Sequence, residues 1–247
     1  MSNPGLLFAS LKHEKSWIVP YRVAWEFQKE LVEKRAANEI PDTILFCEHP
    51  STITRGRGLQ FTGEPRERHA PLGPVPPGTE FFEIERGGDL TWHGPGQLVI
   101  YPIVKLDGTG FGPDHDVTGF LRRIEKVLAS VLIEFGLLSE MREKATGVWV
   151  GDKKLASIGI AVRKWVTYHG IAINVVNDLA PYRMIEPCGF SPEVMSSLTA
   201  LAPQAFAIKS KWRSELEIRL ARKFTGQTWP KAGDEPTREV PIEVLEI

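Results

Sequence analysis

Four runs of β-branched and aromatic residues lie close together in the middle of the chain, and one long helical pattern separates the first run from the others. The runs cover residues 97–103, 147–150, 155–162 and 165–175. Strands joined by short connections pair in antiparallel order, because a parallel pair needs a long crossover. The sequence therefore predicts an α+β fold with a mixed, largely antiparallel sheet and helices packed on it.

The helical patterns are fewer than the strand patterns. Apolar residues recur at steps of three and four between Asp116 and Gly136, which predicts an amphipathic helix with an aspartate cap. Similar patterns predict helices over residues 21–37 and 206–224. Each of these helices has an apolar face that a sheet could cover.

The chain has 247 residues, and we expect a single domain over residues 1–247. A stretch rich in proline, glycine and charge, residues 62–78, separates two short β-like runs, 43–48 and 80–85. We interpret it as a surface loop between two strands that could share one sheet. The tail, residues 225–247, is weakly constrained, and its last alternating residues predict either an edge strand or a loose end.

Composition excludes several classes of function. The 30 Lys and Arg residues against 31 Asp and Glu residues give a formal net charge of -1, so no overall basic field is available to hold nucleic acid. Neither an apolar run of about 18 residues nor a signal sequence is visible, and we expect a cytoplasmic protein that does not bind membranes. The two cysteines lie far apart and form no C-x-x-C pair, which argues against a disulfide framework and a metal site.

The segment from Arg86 to Gln97 contains four glycines and a proline around Arg, Asp, Thr and His side chains. A glycine-rich loop between two strands can bring backbone N–H groups close to a ligand. Arg86 and His93 could then hold a phosphate, a carbonyl or the adjoining backbone. The alternative is a tight hairpin with a surface histidine and a salt-bridged arginine.

Two further segments contain residues that could be reactive or structural. Lys154 stands at the start of an apolar strand and points either to solvent or along the sheet to a pocket, where burial would shift its pKa. His169 precedes small residues that could open room for an apolar ligand, but a satisfied structural histidine is the commoner case.

The two cysteines differ in their surroundings. Cys188 lies between Pro187 and Gly189, just ahead of a predicted helix start at Ser191–Glu193, where Ser is the cap and Pro occupies the first helical position. Such a turn exposes the sulfur, and nearby backbone N–H groups favour its thiolate, so Cys188 is a candidate nucleophile. Cys47 lies within an apolar strand and is expected to be an inert core residue.

Taken together, these segments resemble the lipoyl(octanoyl) transferase family in both order and spacing. The resemblance covers roughly residues 43–198. It implies a single catalytic domain with a fold related to the biotin and lipoate protein ligases. It also implies an enzyme that moves an octanoyl group from acyl carrier protein to a lysine of a lipoyl domain. The matching segments are residues 47–50, 54–58, 86–97, 146–150, 154–159, 169–175 and 187–189.

By the same resemblance, Cys188 is the nucleophile that forms an acyl thioester and Lys154 is its partner. Asp89 stands where the family commonly has Gln or Asp, and Trp92 replaces a more usual Tyr. The residues that the resemblance places around the acyl group are Arg86, Gly87, Gly88, Asp89, Leu90, Thr91, Trp92, His93, Ser157, Ile158, Gly159, Gly170, Ile171 and Ala172.

The implied partners are octanoyl-acyl carrier protein, which delivers the acyl group on its phosphopantetheine, and the lipoyl domains of 2-oxoacid dehydrogenases and of the glycine cleavage H protein. The resemblance implies a monomer that needs no cofactor, metal or ATP. Because acyl carrier proteins are acidic, we expect them to dock on local basic residues such as Arg55 and Arg57.

Three other functions stay open at this point. An ATP-dependent lipoate or biotin ligase would share the fold, and the Arg-Gly-Arg-Gly run at 55–58 hints at an ATP loop. A non-catalytic protein that binds acyl carrier or lipoyl domains would not need Cys188. A thioesterase would release free octanoate rather than form an amide.

Overall fold

The computed structural model describes residues 5–59, 71–73, 75, 77–142, 145–204, 211–226 and 240–247. The strands are β1 (Leu7–Lys12), β2 (Thr43–Cys47), β3 (Thr52–Leu59), β4 (Glu80–Glu83), β5 (Gly88–His93), β6 (Gln97–Ile103), β7 (Glu140–Arg142), β8 (Ala145–Val150), β9 (Lys153–Arg163), β10 (Val166–Asn174) and β11 (Glu243–Glu246). The helices are α1 (Tyr21–Ala36), α2 (Val117–Ile133), α3 (Leu198–Leu201) and α4 (Trp212–Phe224), and single 3-10 turns cover Ala180–Met184, Pro187–Gly189 and Pro192–Val194.

Two sheets organise the structure. The large sheet has eight strands in the order β11-β1-β2-β6-β10-β9-β8-β7, and the small sheet has three in the order β4-β3-β5. Strand β1 pairs in parallel with β2 and β11, whereas the pairs from β2 through β6, β10, β9 and β8 to β7 are antiparallel. The predicted α+β class and the mixed, largely antiparallel sheet are therefore confirmed.

Helices cover both faces of the large sheet. The apolar sides of α2 and α4 pack in one core cluster with one face of the sheet, and α1 packs in a second cluster on the opposite face. The Asp116 carboxylate accepts the Gly119 N–H and caps α2, as the sequence predicts. The predicted helix over 21–37 is also confirmed, while the start of the one over 206–224 lies outside the described residues. None of the helices within the described ranges is long and apolar enough to cross a membrane.

The small sheet differs from the prediction. The runs at 43–48 and 80–85 do not share one sheet, because β2 already has β1 and β6 on its two sides and β4 pairs with β3 instead. The glycine-rich segment at 86–97 is not mainly a loop, since Gly88–His93 forms β5 in antiparallel pairing with β3. Most of the predicted loop at 62–78 lies outside the described residues.

The structure also decides two predictions about where elements begin and end. The predicted helix at Ser191–Glu193 is wrong, because only a three-residue 3-10 turn forms there. The Ser191 hydroxyl bonds to the Glu193 carboxylate rather than to the backbone, and Met195 is already extended beside Lys154. At the C-terminal tail, β11 adds an edge strand to β1, which resolves the alternative left by the sequence.

Candidate active site

A pocket lies where β5 of the small sheet meets β6, β9 and β10 of the large sheet. Its lining residues are Tyr21, Arg86, Thr91, His93, Val99, Tyr101, Ser157, Ile158, Gly159, His169, Gly170, Ile171 and Ala172. The structure thus brings together residues from all three sequence segments that the resemblance places around an acyl group.

The alternation of side chains along β5 divides its residues between two environments. Thr91 and His93 line the pocket, whereas Leu90 and Trp92 are buried in a separate apolar cluster with Tyr182 and other residues. Asp89, Gly87 and Gly88 are also not among the lining residues, although the Gly87 N–H fastens this segment to β9 by donating to the Ile160 carbonyl at 2.9 Å.

Arg86 holds the adjoining backbone. Its guanidinium donates to the Thr54 carbonyl at 2.8 Å, to the Thr54 hydroxyl at 2.9 Å and to the Gly87 carbonyl at 3.0 Å. This packing leaves no room for a side chain at Gly56, where a Cβ would lie 2.4 Å from the Gly88 carbonyl oxygen. The sequence left two interpretations of Arg86 open: a salt-bridged arginine in a tight hairpin, or an arginine that holds the adjoining backbone beside a ligand. The buried guanidinium agrees with the second, because it binds backbone carbonyls.

His93 is a neutral member of the pocket wall. Its Nδ1 lies 2.8 Å from Gln97 Oε1, and the Gln97 amide nitrogen donates elsewhere, so Nδ1 carries the proton. Burial, together with the neighbouring His49, lowers the pKa of His93 to about 3. The ring is therefore uncharged at neutral pH and suits an apolar ligand.

His169 has partners for both ring nitrogens. Nε2 lies 3.3 Å from the Glu85 carboxylate and Nδ1 lies 3.4 Å from the Tyr21 hydroxyl. The hydrogen bond with His169 lowers the pKa of Glu85 to about 2, and burial lowers the pKa of His169 itself. These contacts fit the structural interpretation of His169, whose ring forms part of the pocket wall.

Thr91 carries a hydroxyl that is buried in the wall of the pocket. The residue is 5% exposed, and its Oγ1 has no hydrogen-bond partner within the described part of the chain. Thr54, directly opposite on β3, has its hydroxyl engaged by Arg86. A buried hydroxyl normally has a partner, so Thr91 is available to donate to an oxygen of a ligand in the pocket.

Lys154 points to the pocket side of β9 because of a β-bulge. Gly147 pairs with Ser157 and Val148 with Ala156, but Trp149 pairs with Lys154, so Leu155 is an extra residue on β9. Leu155 and Ala156 both point into the core cluster, and Lys154 therefore lies on the same face as the pocket residue Ser157. Bulges of this kind re-aim side chains beside active sites.

Gly147 makes room for this lysine. Its φ is +137°, and a Cβ there would lie 2.9 Å from Lys154 Cε and 2.4 Å from the Ala156 carbonyl oxygen. Lys154 itself is only 2% exposed, so its aliphatic stem runs through the protein rather than into solvent. Gly147 was not among the residues that the sequence singled out for the site, although a glycine inside a strand often marks a close approach of this type.

Cys188 lies in the 3-10 turn Pro187–Gly189, which packs beside β5. The side chain of Cys188 is outside the described part of the structure. Within the turn, the Gly189 N–H donates to the Glu186 carbonyl at 3.1 Å and the Phe190 N–H to the Pro187 carbonyl at 3.2 Å. Cys47 is fully buried, and burial raises the pKa of its thiol, which fits the expected inert core residue.

Three lining residues have no counterpart among the sequence candidates. Tyr21 comes from α1, and Val99 and Tyr101 come from β6. The Tyr101 hydroxyl lies 2.6 Å from His49 Nε2, while His49 Nδ1 donates to the Val19 carbonyl at 2.7 Å. The sequence contains no local signal for these residues, because they reach the pocket only through the packing of α1 and the position of β6 next to β10.

Comparisons with known proteins identify the fold and the catalytic domain. The family model of the lipoyl protein ligase A/B catalytic domain matches residues 20–214. A bi-partite lipoate protein ligase from Thermoplasma acidophilum has a similar fold, with a TM-score of 0.58 and 16% identity over 91% of this chain and 86% of that one.

Curated relatives identify the family within this class of catalytic domain. The chain is 43% identical over 75% of its length to an octanoyltransferase of Gloeobacter violaceus, of which it covers 78%. It is 42% identical over 73% of its length to an octanoyltransferase of Thermosynechococcus vestitus, of which it covers 76%. The chain therefore belongs to the octanoyltransferase family, a group of acyltransferases with the lipoyl protein ligase A/B catalytic domain.

Proposed function

We propose that this protein transfers an octanoyl group from acyl carrier protein to a lysine of a lipoyl domain through a thioester on Cys188. The observation that carries the proposal is the bulge at Leu155, which turns the buried Lys154 to the pocket side of β9. The names of the relatives support the octanoyl group and the transfer reaction.

In the first half-reaction, the Cys188 thiolate attacks the carbonyl carbon of the octanoyl thioester. The bond to the phosphopantetheine sulfur breaks, and this leaving thiolate takes a proton from the Lys154 ammonium. One thioester replaces another, so the step is close to equilibrium and reversible. An adjacent ammonium favours the thiolate of a cysteine at neutral pH, which is why a lysine suits this role.

In the second half-reaction, the amine of the acceptor lysine attacks the acyl-enzyme. Lys154, now a neutral amine, takes the proton that the attacking amine loses, and the Cys188 thiolate leaves. An amide replaces a thioester, and this exchange drives the reaction forward. The same lysine thus handles one proton in each half-reaction, and the chemistry requires neither ATP nor a metal ion.

The lining of the pocket suits an apolar acyl group. Its apolar walls include Val99, Ile158 and Ile171, its histidine His93 is uncharged, and the Thr91 hydroxyl is placed to meet a single polar atom. An octanoyl thioester has an apolar tail and one carbonyl oxygen, so its chemistry is complementary to these walls. The acceptors that we propose are the lipoyl domains of 2-oxoacid dehydrogenases and the glycine cleavage H protein.

Intact-protein mass spectrometry tests the proposal directly. The purified chain is mixed with octanoyl-acyl carrier protein, and the Cys188→Ser and Cys47→Ala variants are treated in parallel. We expect an octanoyl adduct that hydroxylamine removes on the wild type and on Cys47→Ala, and that disappears when apo lipoyl domain is added.

Other outcomes would favour the alternatives. Octanoylation of the lipoyl domain only with ATP and free octanoate would indicate a ligase, and release of octanoate without amide formation would indicate a thioesterase. Full transfer by Cys188→Ser would remove the thioester intermediate from the mechanism.

A further inference from the structure

Two aromatic rings surround the ammonium group of Lys154. Its Nζ lies 5.5 Å from the centroid of the Trp149 ring and 5.3 Å from the centroid of the Phe190 ring. Both distances are within the range at which the negative face of an aromatic ring attracts a cation. Because Lys154 is buried, such contacts stabilise its charge where water cannot.

The two rings belong to different parts of the fold. Trp149 lies on β8 and is the direct partner of Lys154 at the bulge, whereas Phe190 follows the turn that contains Cys188. The rings contact each other edge to face, with centroids 5.3 Å apart and an angle of 73° between their planes. The contact therefore links the strand of the lysine to the segment of the cysteine.

Hydrogen bonds fix the segment after Phe190 to the start of β9. The Lys153 ammonium donates to the Glu193 carbonyl at 3.0 Å, and the Ser196 N–H donates to the Lys154 carbonyl at 3.0 Å. The position of the Phe190 ring is thus determined by the same strand that carries Lys154.

We propose that Trp149 and Phe190 are positioning residues that together form an aromatic seat for the Lys154 ammonium and direct it to the Cys188 turn. The inference rests on the proposed function, because the seat matters for acyl transfer only if Lys154 and Cys188 react as described above. Phe190 is the better residue to change, since Trp149 also contacts the Arg142 guanidinium, 4.1 Å from its centroid.

Nuclear magnetic resonance detects the seat without any reaction. In protein labelled with 13C at the ε position of lysine, the Lys154 signal is the one absent from Lys154→Arg. We expect its ε protons to be shifted upfield by the ring currents of the two aromatic residues. The shift should shrink in Phe190→Leu and stay unchanged in Phe111→Leu.

Phe111 is a matched control, because it is also half-buried, packs edge to face on Phe120 and Phe224, and has the Arg123 guanidinium 5.2 Å from its centroid. Single-turnover acylation by octanoyl pantetheine provides the second measurement. Phe190→Leu should slow acylation about tenfold through the rate constant rather than through KM, whereas Phe190→Tyr should retain most of the rate.

The possible results distinguish a failure of the aromatic seat from a failure of the proposed function. A Lys154 signal without an upfield shift in the wild type would overturn the seat. A folded Phe190→Leu variant that acylates at the wild-type rate would show that the seat does not direct the lysine. A wild type that forms no acyl-enzyme would remove the proposed function, and the positioning role with it, whatever the resonance shift shows.

Discussion

Lys154 and Ser157 lie on the same face of β9 although they are three positions apart in the sequence. In a regularly paired strand, residues an odd number apart point to opposite faces, and Lys154 would then point into the core with Ala156. The extra residue Leu155 reverses this relationship. The orientation of the proposed proton carrier is therefore a property of strand register, which no local sequence pattern determines.

Gly147→Ala should displace Lys154. The new Cβ would lie 2.9 Å from Lys154 Cε, and the backbone conformation at φ +137° disfavours any side chain. We expect acylation by octanoyl pantetheine to slow at least tenfold, by analogy with misplaced catalytic groups. Gly151→Ala is the control, because it has φ +56° in the same hairpin but open space around its Cβ. If both variants lose stability equally and keep the same rate, Gly147 has no role in placing the lysine.

Lys154→Ala should slow both half-reactions, since one residue is proposed to carry a proton in each. General acid–base catalysis contributes about 10² to 10⁴ in rate, so a loss of roughly a hundredfold or more is expected for acylation and deacylation alike. The two rates are measured separately by rapid quenching and mass spectrometry. Lys153→Ala tests the neighbouring lysine, whose ammonium binds the Glu193 carbonyl. Normal rates in Lys154→Ala would exclude the residue from the mechanism.

The sequence was most informative where structure depends on local periodicity. Strand β6 has the predicted bounds, and the capped helix α2 begins directly after Asp116. It was least informative for β5, because a glycine-rich segment is typical of a loop, and the pairing partner of β5 is the distant strand β3. The pocket shows the same difference. Its lining residues that belong to local sequence motifs could be predicted, whereas Tyr21 and Tyr101 reach the pocket only through long-range packing.

Thr91→Val should weaken the interaction with the acyl carbonyl. The substitution keeps the shape of the side chain and removes the hydroxyl, whose Oγ1 has no partner within the described residues. If the hydroxyl donates to the thioester oxygen as charge develops there, acylation slows about tenfold or more, and Thr91→Ser restores much of the rate. Thr43→Val is a suitable control, because Thr43 is equally buried but its hydroxyl donates to the Pro41 carbonyl. Equal rates for Thr91→Val and wild type would show that the hydroxyl does not contact the carbonyl.

Arg57→Glu should weaken docking of an acidic carrier protein. Arg57 is exposed, and its backbone N–H donates to the carbonyl of the pocket residue Arg86, so it stands near the pocket. Arg55 is already paired with Glu83, and its reversal should have the smaller effect. We expect a higher KM for octanoyl-acyl carrier protein that depends on salt, with no change for octanoyl pantetheine. An unchanged KM for the carrier protein in Arg57→Glu would place docking elsewhere.

Acid should destabilise the protein through its buried histidines. Burial lowers the pKa of His93 to about 3 and that of His49 to about 4, whereas the unfolded chain binds a proton near the ordinary value of 6.5. Between these values the unfolded state holds more protons, so the free energy of unfolding is highest above pH 6.5 and falls as the pH is lowered. Each histidine contributes a slope of about 1.4 kcal/mol per pH unit.

Urea unfolding between pH 7 and pH 4.5 measures this slope. His93→Gln should reduce it, because one buried proton acceptor is removed, although the variant also loses stability at neutral pH. His115→Gln serves as the comparison for the substitution itself, since His115 is exposed beside Trp165 and lies outside the pocket. A slope in His93→Gln equal to that of the wild type would mean that His93 already binds a proton in the folded protein, and the pocket would then hold a charge that disfavours an apolar acyl chain.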